Sequence, residues 1–284
     1  GIVTVKGPNA VLTMNGGSIH DNYMSNQFTN VVKITEGASF FMNGGDISNN
    51  TLDYSGSNGL NSAVGVEGIK GTSTMEMIGG TITGNTGEYG GILVGTYSTN
   101  YTMQNNFSNP AHYYSKGILN LKGGTISNNT AAVLGGGIAV NGTGILTMDG
   151  GTISGNKAPF GGGIGVVDYL TSADGKRFGE ARWRGFFPAA VTINDGLITG
   201  NEATMTAVTS QITDPNAENG VGGGLYVASK EVYVNGGQFT NNTAGKQGGG
   251  IYVASVPYVL KMGKTLITEN TATKIGGGLW LCPT

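Results

Sequence analysis

The sequence predicts an all-β solenoid, a right-handed parallel β-helix with three short strands per rung and about eight rungs. Three observations lead there. One unit, typified by LTMDGGTISGNKAPFGGGIGV at residues 146–166, recurs along the whole chain. Within each unit apolar and polar residues alternate at period two, the pattern of a strand with one buried face. No stretch carries a helical period of comparable length.

The units follow one another in a fixed template: apolar-x-apolar, Gly-Gly, x-Ile, and a closing asparagine. They begin at Leu12, Phe40, Met75, Leu119, Leu146, Val191, Val232 and Leu260. They close at Asn22, Asn50, Asn85, Asn129, Asn156, Asn201, Asn242 and Asn270. Three copies drift: Asp195-Gly196 and Lys264-Thr265 replace Gly-Gly, and Phe239 replaces Ile. A Gly-Gly-Gly-apolar-x-apolar stretch recurs before Ile138, Ile164, Leu225, Ile251 and Leu279, with shorter versions at Gly90-Gly91-Ile92 and 63–66. Uninterrupted copies lie about 27–28 residues apart, within the range of solenoid repeats. At about 4.8 Å per rung the rod is on the order of 40 Å long.

This periodicity assigns most of the unusual composition to structure. The chain has 284 residues, of which 53 are glycine. Glycine suits corners that need positive φ or close passage between rungs. The GGG runs do not read as phosphate loops, since no Lys-Ser/Thr pair and no helix follows them. The asparagines tolerate left-handed geometry, and stacked copies can hydrogen-bond along the rod. They are expected to form a structural ladder.

Composition also excludes several function classes. A net charge of −2 gives no basic stripe for nucleic acid. No apolar run approaches the ~20 residues of a membrane span. Cys282, the single cysteine, excludes an intrachain disulfide framework. His20 and His112 are too few for a zinc motif, DxDxDG-type calcium loops and a GxSxG elbow are missing, and no metal or cofactor is expected. The chain opens directly on a strand and stops at 279–281, one strand into a new unit, so it reads as a processed or excised piece of something longer. Residues 1–284 are taken as one β-helix domain open at both ends, which predicts a capping segment or second chain to complete it.

Function is sought where the pattern fails. Four insertions interrupt it, at 51–62, 96–116, 167–190 and 202–221. Long loops on a compact repeat scaffold concentrate function. The insertion at 167–190 gathers Asp168, Asp174 and Glu180, four basic residues, and five aromatics. Aromatic faces beside carboxylates and arginines suit a sugar, which offers apolar C–H faces and a rim of hydroxyls. Tyr169, Phe178, Arg182 and Trp183 are the expected contacts, with Tyr113 and Tyr114 from the second insertion facing them across a cleft. The bland alternative is a lid whose aromatics make a small satellite core and whose charges are solvated.

Two neighbouring carboxylates are the minimum equipment of a glycosidase, one acid and one nucleophile or base. Asp168 and Asp174 are the first candidate pair. Asp46 and Asp53 are the second, with His20, Asp21 and Glu88 on neighbouring rungs of the same edge. A separation of about 5–5.5 Å implies retention of configuration, and about 6.5–9.5 Å implies inversion.

The phrases GGTISNNTAAVLGGGIAV, GGTISGNKAPFGGGIGV and GGGLWLCPT resemble the β-helical repeats of large surface proteins from gut and oral bacteria. The resemblance covers nearly all of the chain outside the insertions and implies an extracellular, secreted or surface-attached bacterial setting. Most such proteins are taken to be adhesins. One enzymatic branch with a similar rod is the lacto-N-biosidase family of glycoside hydrolases, which use two aspartates a few residues apart and carry a separate helical domain needed for folding. Asp46 and Asp53 match that spacing, and Asp168 and Asp174 nearly do. Pectate-lyase-like enzymes share the rod, but their acid cluster and basic residue are not assembled here. The expectation is a carbohydrate-directed β-helix, leaning to a glycoside hydrolase on oligosaccharides. A non-catalytic adhesin or spacer binding host glycans or proteins is the alternative.

Overall fold

The computed structural model describes residues 1–25, 30–53, 61–95, 115–168, 189–206, 219–254 and 260–282. Among them every regular element is a strand. The strands pair in parallel into three sheets of nine, eight and twelve strands, each climbing through the chain from rung to rung. This is a β-helix-like solenoid. No helix among the described residues is long and apolar enough to cross a membrane.

The unit at 146–166 shows how one copy is laid out. Gly144–Ser154 is a single strand of the twelve-stranded sheet. Lys157–Ala158 belongs to the eight-stranded sheet and Ile164–Val167 to the nine-stranded sheet. The sequence suggests instead that Gly-Gly turns a corner between two strands. In the structure the chain passes through it as an irregularity within one sheet, with register shifts on either side of Asp149. Such a bulge bends a strand without ending it.

The third sheet comes from residues that follow the ladder asparagine: Thr51–Leu52, Thr86–Gly87, Thr130–Ala131 and their counterparts. Strand pairing consequently reaches into residues counted with the insertions by sequence. Thr51, Leu52 and Ser62 are strand residues, as are Val167, Ala190, Glu202 and Ala203. Two residues are too few to show an alternation, so period two could not reveal this sheet.

Inward side chains make the main core. Ile153 lies between Ile126 and Ile198 in register, and all three are fully buried. Each such side chain contributes roughly 1.5–3 kcal/mol by leaving water. A second core covers the outer face of the nine-stranded sheet, where Leu93, Ala139, Val167, Tyr226 and Tyr252 meet Leu134, Phe160 and Val221. Tyr226 stacks on Tyr252 at 5.7 Å and meets Phe160 edge-on at 5.3 Å. A sheet buried on both faces is typical of parallel strands.

The asparagine ladder runs unbroken from Asn22 to Asn270. Asn129 shows its logic. Its Nδ2 donates to Asn156 Oδ1 (3.0 Å) and to the Ile82 carbonyl (2.9 Å). Its Oδ1 accepts from the N–H (3.0 Å) and Nδ2 (2.9 Å) of Asn85. Every donor and two lone pairs of a fully buried amide are thereby used, which removes a penalty of about 1–3 kcal/mol per unpaired group. The left-handed residue is not the ladder asparagine but the one before it, as at Asn49 (φ 52), Asn128 (φ 53) and Asn241 (φ 54).

Candidate functional site

Asp168 ends the strand Ile164–Val167, at the margin where the chain leaves the nine-stranded sheet. Val167 pairs with Asn141 on one side and Ala228 on the other, and the Asp168 N–H donates to the Ala228 carbonyl (3.1 Å). The carboxyl is only 9% exposed, and Oδ1 has no hydrogen-bond partner among the described residues. Burial pushes its pKa up to about 6, against the pull of the Ser229 hydroxyl, the Ala189 backbone and Lys230. The Ser229 hydroxyl proton goes to the Ala189 carbonyl (2.5 Å), so little of that pull reaches the carboxylate and desolvation dominates.

The same margin carries other buried polar groups. Glu67 is 3% exposed and pairs through Oε1 with Lys33 (2.8 Å), while its Oε2 finds no partner among the described residues. Neither amide atom of the buried Asn141 has a partner among the described residues. Residues 96–114, 169–188 and 255–259 all join the chain at this margin and lie outside the described residues. With them lie Asp174, Tyr169, Phe178, Arg182, Trp183, Tyr113 and Tyr114. Of the first candidate pair the structure therefore places Asp168 alone.

Both members of the second pair are placed, in different surroundings. Asp46 sits on the twelve-stranded sheet, beside Ser18 and Thr81 on the adjacent strands. Its carboxylate accepts from Ser18 (2.9 Å), Thr81 (2.8 Å) and Ser48. Partial burial pushes the carboxyl up, but the three hydroxyls and His20 outweigh it and hold it below the usual aspartate range. A carboxylate kept ionised in this way is unsuited to donate a proton. His20 takes its own partner, Asp21, through Nδ1 at 2.7 Å.

Asp53 lies past the corner, exposed, just after Thr51–Leu52. It accepts from the Tyr23 hydroxyl (3.1 Å), and that contact raises the phenol's pKa. Asp53 lines a groove of about 530 Å³ over the eight-stranded sheet; Asp46 is not among the lining residues. The carboxylate that shares the groove with Asp53 is Glu88, from the next rung.

Leu52 and Ala131 border the groove but are buried, Leu52 within the main core, so the groove's open surface comes from Ala132 and from Thr51, Thr86 and Thr130, which put a hydroxyl on each of three successive rungs. Lys157 continues this row and is paired with Glu202 (2.8 Å). The signal for the row was present in the sequence. Threonine follows the ladder asparagine at Thr51, Thr86, Thr130, Thr243 and Thr271. Among the described residues no group of three or more His, Cys, Asp or Glu is arranged to hold a metal ion.

These features define a parallel β-solenoid with an open, hydroxyl-lined groove on one sheet and a buried acid at the margin of another. No known family, curated protein or solved structure matches the chain.

Proposed function

We propose that the chain is an extracellular, carbohydrate-directed solenoid that holds a glycan in the groove over its eight-stranded sheet. The observation that carries this reading is the groove itself, whose lining brings threonine hydroxyls from three successive rungs together with Asp53, Lys157 and the exposed Ala132. A sugar presents matching chemistry, with hydroxyls that both donate and accept for the threonine row and C–H faces for the threonine methyls and Ala132. The repeat's resemblance to bacterial surface proteins supports the same reading and an extracellular setting. Covering of the last rung by a further segment or chain belongs to this proposal. Leu279 (37%) and Leu281 (59%) are exposed there, while their counterparts Ile251 (0%) and Val253 (4%) are buried.

The test is a glycan array probed with the whole chain and with Ala132→Trp. Ala132 is exposed and lines the groove, so the indole fills the groove without entering the core. Binding by the wild type and its loss in Ala132→Trp are expected. A variant that binds as well as the wild type, with unchanged thermal unfolding, refutes the groove as the glycan site.

A second, hydrolytic reading, placed at the margin of the nine-stranded sheet and not in the groove, is favoured by Asp168. A buried carboxyl with a pKa of about 6 is protonated often enough near neutrality to act as a general acid toward a glycosidic oxygen. Asp174 is its expected partner as nucleophile or base, in the manner of the lacto-N-biosidase family. Release of product from aryl-glycosides and milk or mucin oligosaccharides should then be lost in Asp168→Asn and Asp174→Asn. Equal turnover in wild type and both variants clears these residues of catalysis and leaves the chain a binding protein.

A further inference from the structure

The threonine row of the groove differs from the hydroxyl rows elsewhere on the rod. On the twelve-stranded sheet neighbouring hydroxyls bond one another, Thr83 with Ser127 and Thr240 with Thr199, each at 3.0 Å. On the eight-stranded sheet Thr51, Thr86 and Thr130 are exposed, and none of their hydroxyls bonds another side chain among the described residues. Each therefore keeps one donor and two acceptor lone pairs for an occupant of the groove.

The row also follows the rod axis. Thr51 pairs with Thr86, and Thr86 with Thr130, in register. One residue earlier on each rung, the ladder amides of Asn50, Asn85 and Asn129 are hydrogen-bonded in series and hold the rungs in step. The same hydroxyl returns at each strand spacing of about 4.8 Å. Across the rod the groove has little to offer, because these strands are two residues long. Along the rod its lining draws on five successive rungs, those of Thr51, Thr86, Thr130 and Lys157 and the next, which supplies Thr204. Four spacings make it about 19 Å long.

An occupant that uses this repeat must itself repeat at a similar step and in a straight line. An extended oligosaccharide does so, each hexose ring advancing by roughly one strand spacing. A coiled oligosaccharide turns its hydroxyls away from the row after the first units. We infer that the groove selects straight, extended oligosaccharides over coiled ones, and that the bound chain lies along the rod with about four units in place. This deepens the glycan-binding reading above and rests on it.

The experiment is calorimetric titration of the whole chain with graded lengths of extended oligomers (cello-, chito- and manno-oligosaccharides) and of coiled ones (malto- and laminari-oligosaccharides). Affinity for the extended class should rise with length and level off near four units. Coiled oligomers of that length should bind at least about ten-fold more weakly. Thr86→Val removes the central hydroxyl of the row while keeping the side chain's shape, so it should weaken every extended oligomer. Thr51→Val, at the end of the row, should weaken the longest ones most. Thr243→Val makes the same change at the same repeat position outside the groove and should leave affinity as it is. Coiled oligomers binding as tightly as extended ones, a plateau already at the disaccharide, or equal effects of Thr86→Val and Thr243→Val overturns the selection by chain shape and leaves glycan binding standing. Failure of every oligomer to bind removes the binding reading itself.

Discussion

At the scale of single residues, three aspartates show how differently the solenoid treats one side chain. Asp46 is held ionised by hydroxyls, Asp53 faces an open groove, and Asp168 is buried with an unpartnered oxygen. The pairing of Asp46 with Asp53 was legible only as a short spacing; a corner separates their sheets, and sequence distance cannot register a corner. Asp168 carries the clearest pH consequence. Its carboxyl titrates near 6 in the folded chain against 3.8 when unperturbed, so the native state binds that proton more tightly. The sign follows: the stabilisation from protonated Asp168 is intact below pH about 4, falls as pH climbs to about 6, and is gone above. Its full size is about 3 kcal/mol. Asp168→Asn should therefore unfold at higher urea than wild type at pH ~7.5, by up to about 3 kcal/mol, and at the same urea at pH ~3.5. An equal gap at both values shows that the carboxyl's ionisation is not the cause.

At the scale of elements, the apolar alternation revealed the strands of the nine- and twelve-stranded sheets, whose inward residues stack in register, as at Ile126 and Ile153. It did not reveal the eight-stranded sheet, whose two-residue strands carry no period. That omission hid the groove, because the threonine row lies on those strands. Gly-Gly was ambiguous for a different reason: bulge and corner both call for glycine, and only pairing with the next rung separates them. The GGG segments test the close-passage argument directly. A Cβ on Gly163 would lie 2.6 Å from the Gly224 carbonyl oxygen and 3.1 Å from Asn201 Nδ2, so both the next rung and the ladder would have to give way. Gly16 has nothing within 4 Å of its Cβ position and an ordinary φ. Gly163→Ala should cost about 2–3 kcal/mol of stability in chemical denaturation, and Gly16→Ala less than about 0.5 kcal/mol. Equal effects would mean that the GGG glycines are not there to let rungs pass closely.

At the scale of the whole molecule, the sheets, the two cores and the asparagine ladder all connect each rung chiefly to its immediate neighbours. Stability in such an array approximates a sum of rung terms and nearest-neighbour interfaces. Coupling between substitutions should therefore decay with rung distance rather than spread through a common centre. Ile126 and Ile153 share an interface in register, while Val234 belongs to a rung beyond both. In a double-mutant cycle, Ile126→Ala with Ile153→Ala should depart from additivity by about 0.5–1 kcal/mol, because the second truncation enlarges a cavity the first has already opened. Ile126→Ala with Val234→Ala should add within about 0.3–0.5 kcal/mol. Urea unfolding of the three single and two double variants with wild type decides the matter. Coupling at Val234 as large as at Ile153 would require a medium that carries strain across several rungs. The ladder is the continuous candidate, since each amide fixes the position of the next. Local coupling would instead make the ladder a series of independent fastenings, and would leave the groove able to bind a ligand without stiffening the opposite end of the rod.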